Sequence, residues 1–174
     1  MPEQTTLPER TTVLWRAFVP RWAHLPLSGE GAARFGGRWN PVGAPAIYAA
    51  RELSTAWAEY NQGFVQHPAL IARLELSGAR LADLTEPEQL RRLDVDEDIH
   101  RCEWRDQMDR GVIPETHRLR ARLMTEGCHG IVYPSFMSRG GTCVALWRWN
   151  SKDMPRLDVI DPESRLPKTP ASWL

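Results

Sequence analysis

The chain has 174 residues, 42% hydrophobic and 25% charged, and its 22 basic side chains cancel its 22 acidic ones. That length supports one domain with a buried core, and a formal charge of zero supplies no field to draw in nucleic acid or an anionic membrane. Three widely spaced cysteines (Cys102, Cys128, Cys143) read as reduced thiols. With no apolar run near the ~18 residues of a membrane span and no apolar signal core at the amino terminus, the chain is expected to be cytoplasmic.

In chain order, residues 1–10 read as a loose leader. Val13 to Val19 has strand composition, interrupted by the polar Arg16. Pro20 to Pro45 is rich in glycine and proline and shows no period. It is expected to lack secondary structure of its own and, because it holds Arg34, Phe35, Arg38 and Trp39, to be an ordered binding loop. Ala46 to Ala50 reads as a short buried strand. Glu52 to Tyr60 reads as a helix whose apolar stripe is Leu53, Ala56, Trp57 and Tyr60. Glu59 lies beside the edge of that stripe, so it faces either a cleft or water.

Residues 69–76 change to a period of two and predict a strand, with another short one at 81–84. Helices are expected over 86–93, 99–110 and 114–126, the last marked by Pro114 in its first turn and Gly127 just past its end. Gly130 to Tyr133 predicts a strand leading into Pro134-Ser135. A glycine-rich loop spans 136–142, a buried strand 143–149, a last strand 156–160, and a proline-rich tail 162–174. No repeat or linker divides the chain, which predicts a single domain over 1–174. The element order favours an α+β fold over a regularly alternating parallel sheet.

Eight tryptophans are many for this length. Those in strand-like runs (Trp15, Trp147, Trp149) and helix-like runs (Trp57, Trp104) are expected in the core. Trp22 and Trp39, in the glycine- and proline-rich loop, are harder to explain by packing alone, and Trp39 is a candidate ligand contact. His100-x-Cys102 and Cys128-His129 lack the paired spacing of a zinc site, so no metal is expected. The basic run His117 to Arg122 reads as a solvated helix face or a docking place for a partner. Taken singly, Arg38 is an ordinary loop arginine, Glu59 a solvated helix residue, Tyr48 a core aromatic and Ser135 a turn residue.

Taken together, they carry more. Gly36-Gly37-Arg38-Trp39-Asn40, then Ile47-Tyr48, Glu59 and Tyr133-Pro134-Ser135 resemble the RES-domain family, named for its Arg, Glu and Ser. The resemblance spans about residues 13–149. It implies an ADP-ribosyltransferase-like α+β core of two small bent β-sheets with flanking helices around an NAD cleft. It also implies a toxin of a toxin–antitoxin pair, one that breaks the nicotinamide–ribose bond of NAD+ with phosphate or water as acceptor. The alternatives are mono-ADP-ribosylation of a protein and a catalytically silent partner-binding module. The implied partners are NAD+ and an Xre-like antitoxin, with no direct nucleic acid or membrane contact, and with self-association into a homo-oligomer left open.

The resemblance names Glu59, Arg38 and Tyr48 as the catalytic set. Arg38 and Arg16 are assigned to the ligand's phosphates or to an attacking inorganic phosphate. Tyr48 is assigned to the nicotinamide end, Glu59 to the catalytic carboxylate and Ser135 to the ribose, with Trp39 and Arg139 as further substrate contacts. An amide side chain is expected shortly after the serine, and Gly141-Thr142-Cys143 stands there instead. The residue types suit the task. Arginine meets phosphate with a planar fork that keeps its charge, and a carboxylate stabilises a ribosyl cation. No Rossmann glycine fingerprint follows a strand, so NAD+ is expected as a consumed substrate with no resident cofactor.

Overall fold

Seven strands form the frame of the computed structural model, which describes residues 11–63 and 65–173; the expected leader 1–10 lies outside the described residues. They are β1 (Thr12–Phe18), β2 (Ile47–Ala50), β3 (Leu70–Ser77), β4 (Leu81–Asp83), β5 (Gly130–Pro134), β6 (Thr142–Leu146) and β7 (Arg156–Val159). They hydrogen-bond in the order β4-β5-β6-β2-β1-β3-β7, antiparallel except for the parallel pair β4–β5. The α+β class holds. The expected pair of small sheets is one hydrogen-bonded sheet whose halves meet at a single register pair, Trp15 opposite Ala50. On either side of that seam the pairing is regular: β1 with β3 from Thr12–Leu76 to Phe18–Leu70, and β2 with β6 from Ile47–Leu146 to Ala50–Cys143.

Successive strand residues point to opposite faces, and the core divides accordingly. Val132, Val144 and Leu146 join Leu14, Ile47 and Leu74 in one buried cluster, whereas Ile131 and Ala145 join Leu84, Leu119 and Leu123 in another. A small third cluster of Ala50, Ala56 and Cys143 lies at the seam, with Trp15 and Tyr133 packed on it. Both loop tryptophans turn out to be packing residues. Trp22 rests on the first cluster, and Trp39 is fully buried in the second with its ring 5.5 Å from that of Tyr133.

The helices are α1 (Glu30–Phe35), α2 (Leu53–Asn61), α3 (Pro87–Arg92), α4 (Trp104–Asp109) and α5 (Glu115–Thr125). Among the described residues, no helix is long and apolar enough to cross a membrane. The stretch expected to lack structure contains α1 and a 3-10 turn, Pro20–Trp22. Six residues are too few for a 3.6-residue period to register, so α1 left no trace in the apolar pattern. The helix expected over 99–110 is a 3-10 turn, Glu97–Arg101, followed by α4. The break falls where Cys102 leaves helical geometry (φ −51°, ψ 119°) and its carbonyl accepts a hydrogen bond from Arg38. The strand expected to reach Trp149 ends at Leu146, because the amides of Trp147 and Arg148 turn to the carbonyl of His129. Within the proline-rich tail, the 3-10 turn Pro170–Trp173 lies against the turn Pro20–Trp22.

Burial lowers the pKa of His100, His117 and His129 below the ordinary 6.5. The unfolded chain therefore binds these protons more tightly than the folded one. The stability they contribute is complete above the unfolded value and is lost as pH falls through the range below it. Thermal melts at about pH 7.5 and about pH 5.5 are expected to show the lower midpoint in acid. Equal midpoints would count against the burial of these rings.

Candidate active site

The Gly36–Asn40 turn is built to hold one shape. Gly36 has φ +71°, a left-handed conformation that glycine adopts without cost. A Cβ on Gly37 would sit 2.6 Å from the Tyr48 hydroxyl and 2.7 Å from Asn40 Oδ1, so no side chain fits there. The Tyr48 hydroxyl donates to Asn40 Oδ1 (2.6 Å) and accepts from the amide of Trp39 (3.0 Å). Asn40, fully buried, donates through Nδ2 to the carbonyls of Ala32 and Ala44, each at 2.9 Å. From α5, His117 Nε2 reaches the Gly37 carbonyl at 2.8 Å, and since a carbonyl only accepts, the ring nitrogen is the donor.

These contacts give Tyr48 a second task beside its expected place at the nicotinamide end. Its ring lines the cleft, but both hydrogen bonds of its hydroxyl go to the turn, so it positions Arg38 and leaves that hydroxyl committed away from a ligand. Burial pushes the phenol well above its ordinary value of 10, which keeps it a neutral donor. Tyr48→Phe strands the Asn40 acceptor and the Trp39 amide. It is expected to cost about 2 kcal/mol of stability, read as a lower denaturation midpoint. An unchanged midpoint would show that the turn does not depend on this hydroxyl.

Arg38 leaves the turn and donates through Nη1 to the carbonyls of His100 (3.1 Å) and Cys102 (3.3 Å). Its guanidinium carbon lies 5.8 Å from the centre of the Phe136 ring. Across the cleft, Glu59 on α2 is held by the turn after β5. Its Oε1 accepts from Ser135 Oγ (2.5 Å), from the amides of Phe136 (3.0 Å) and Met137 (3.3 Å), and from Cys143 Sγ (3.7 Å). Ser135 Oγ in turn accepts from the amides of Met137 and Ser138. The serine thus orients the carboxylate. Cys143, standing where an amide side chain was expected, supplies a weak donor to the same oxygen. Burial, then the charge of Glu59, pushes its thiol up to about 12, so it remains S–H.

Arg38, Trp39, Tyr48, Glu59 and Ser135 all line one cleft of about 1080 Å³. Two predicted contacts do not. Trp15 and Ala17 face the cleft from β1, so the alternation of the strand carries Arg16 to the other face. There its guanidinium donates to the carbonyls of Pro26 (2.5 Å) and Ser28 (3.1 Å), and burial lowers its pKa to about 10. Arg16 is a brace for the loop before α1, which corrects its assignment to phosphate. Arg139 is exposed in the tight turn closed by the Gly141 amide on the Ser138 carbonyl, and is absent from the cleft lining. Trp39 contributes the cleft's back wall as a packed core ring, 0% exposed.

Sequence reasoning missed the wall from His100 to Asp106, for which no pattern gave a signal. It also missed His117, read within a solvated basic face but buried against the turn that carries Arg38. Its neighbours Thr116, Leu119 and Leu123, at helical spacing and all buried, were the available clue.

The profile of the RES domain family matches residues 13–169, and the chain belongs to that family. Among known proteins, it is similar to the NAD(+) phosphorylase MbcT of Mycobacterium tuberculosis (strain ATCC 25618 / H37Rv) and to that of Mycobacterium bovis. Each is 30% identical over 110 residues, covering 55% of this chain and 59% of the relative. It is also similar to Toxin Res of Photorhabdus laumondii subsp. laumondii, 38% identical over 47 residues, 27% of this chain and 30% of the relative. The chain thus matches about 59% of the length of its mycobacterial relatives. In three dimensions it resembles a chain in the crystal structure of the M. tuberculosis MbcT-MbcA toxin-antitoxin complex. The TM-score is 0.63 at 19% identity, over 94% of this chain and 87% of that one, a likeness of fold.

Proposed function

We propose that this chain consumes NAD+ by breaking the bond between nicotinamide and ribose, with inorganic phosphate or water as acceptor. One observation carries the reading: Arg38 from a glycine-flanked turn and Glu59 from α2 face the same cleft, with Ser135 fixing the carboxylate. The names of the mycobacterial relatives support the chemistry and favour phosphate as acceptor.

Nicotinamide leaves as a neutral molecule and takes the bonding electron pair, so no strong general acid is required. The positive charge left on the ribose is met by the Glu59 carboxylate, held in place before the reaction by the serine hydroxyl and two main-chain amides. A phosphate or water oxygen then bonds to the anomeric carbon. Arg38 presents its fork to an anionic oxygen, either of the ligand's pyrophosphate or of the attacking phosphate, and so fixes its approach. NAD+ enters as substrate, so no resident cofactor takes part. The reading extends to a cytoplasmic toxin neutralised by an Xre-type antitoxin; the toxin-antitoxin complex among its structural neighbours supports an antitoxin partner.

The test is to incubate the purified chain with NAD+, with and without inorganic phosphate, and to follow free nicotinamide and phosphorylated ADP-ribose. Release that rises with phosphate is the expected result. Folded protein that frees no nicotinamide under either condition would overturn the reading.

A further inference from the structure

We propose that Phe136 is the platform on which the nicotinamide ring of NAD+ stacks, which makes it a specificity-determining residue; this rests on the NAD+ reading above. Seven aromatic side chains line the cleft, and six of them are already committed. Trp39 is buried in the core and packs on Tyr133. Tyr48 is tied to the turn through its hydroxyl. Trp15 packs on the seam cluster, Tyr60 stacks on Trp57 with its hydroxyl on the Pro68 carbonyl, and the Trp104 ring is covered at 5.0 Å by the Arg105 guanidinium. Phe136 shares with Trp104 only a guanidinium over its ring, that of Arg38 at 5.8 Å. Its ring is 78% exposed although it stands in the cleft lining.

An exposed phenylalanine alone is ordinary on a protein surface. This one is carried on a backbone that cannot wander, since its own amide is bound to Glu59 Oε1 at 3.0 Å and the amides on its C-terminal side are bound to Glu59 and Ser135. It therefore stands between the two charged groups, with its main chain on the carboxylate and its ring 5.8 Å from the Arg38 guanidinium. The ring lost from NAD+ is one bond from the anomeric carbon that Glu59 must approach, so it has to lie on this side of the cleft. Before cleavage that ring is a flat pyridinium cation. A phenyl face attracts it both as a planar stack and as a cation, and the charge part of that attraction ends when the ring leaves neutral. Phe136 thus holds the substrate more tightly than the departing product.

Because the ring still lies on the phenyl face while its bond to ribose is breaking, most of this attraction is common to ground and transition state, so its loss should appear chiefly in KM. Phe136→Ala is expected to raise KM for NAD+ about tenfold with kcat changed less than about threefold, and with an unaltered melting midpoint. Phe136→Trp should keep KM near that of the parent, whereas Phe136→Leu, apolar but without a π face, should behave like the alanine variant. A KM within about twofold of the parent in Phe136→Ala, or equal rescue by leucine and tryptophan, would overturn the proposal. So would an alanine variant with unchanged KM that only escapes neutralisation by an antitoxin, since the ring would then be a protein contact. A parent protein that releases no nicotinamide would instead sink the NAD+ reading itself, so the two failures are told apart.

Discussion

Replacing Glu59 by glutamine is expected to lower nicotinamide release by about 1,000-fold while leaving the melting midpoint almost unchanged. Glutamine is the informative replacement because its carbonyl oxygen can still accept from Ser135 Oγ and from the amides of Phe136 and Met137. The local hydrogen bonds survive and the negative charge does not. The loss therefore reports what the charge does for the developing cation, separate from what the side chain does for the fold. Initial rates on NAD+ at saturating phosphate measure it. A glutamine variant retaining more than about a tenth of the parent rate would show that electrostatic stabilisation by this group is not the main source of acceleration.

Arg38→Lys is expected to lower kcat/KM by about 100-fold in spite of the conserved charge. The guanidinium already spends Nη1 on the carbonyls of His100 and Cys102, and its planar fork allows the remaining donors to meet an anion at the same time. An ammonium carries its three N–H donors on one nitrogen, without a planar fork to span both carbonyls and an anion together. The lysine variant should also show a weakened dependence on inorganic phosphate if that anion is the acceptor. Near-parental kcat/KM with lysine would show that a point charge suffices and that the two carbonyl contacts are incidental.

Much of the frame was legible because strands that bury one or both faces write their period into the chain. β3 and β6 are examples, the first alternating and the second apolar and buried without a break from Cys143 to Leu146. The pairing of Arg38 with Glu59 and Ser135 came through the motif, since residues so far apart in the chain carry no mutual signal of their own. Arg16 shows where such reading stops. Its position in β1 was right, but whether an odd or even strand residue faces the cleft depends on which side of the sheet α2 packs, a tertiary fact. Trp39 failed in the opposite direction: a loop turned inward by Asn40 and Tyr48 can bury an indole as fully as a strand can. The break at Cys102 was invisible because the contact made there, with the Arg38 guanidinium, comes from a residue distant in sequence.

The grip on Glu59 comes from main-chain amides at positions 136 and 137 together with two side-chain donors, the Ser135 hydroxyl and the weaker Cys143 thiol. Peptide N–H groups are the same whatever residue carries them, proline excepted, which has none. Substitutions at 136 and 137 can therefore drift without disturbing the carboxylate, whereas deleting or inserting one residue there would pull the donors out of register. Ligand preference and bond-breaking power are in this way separable under mutation: the first can be retuned one side chain at a time, while the second is guarded by loop length.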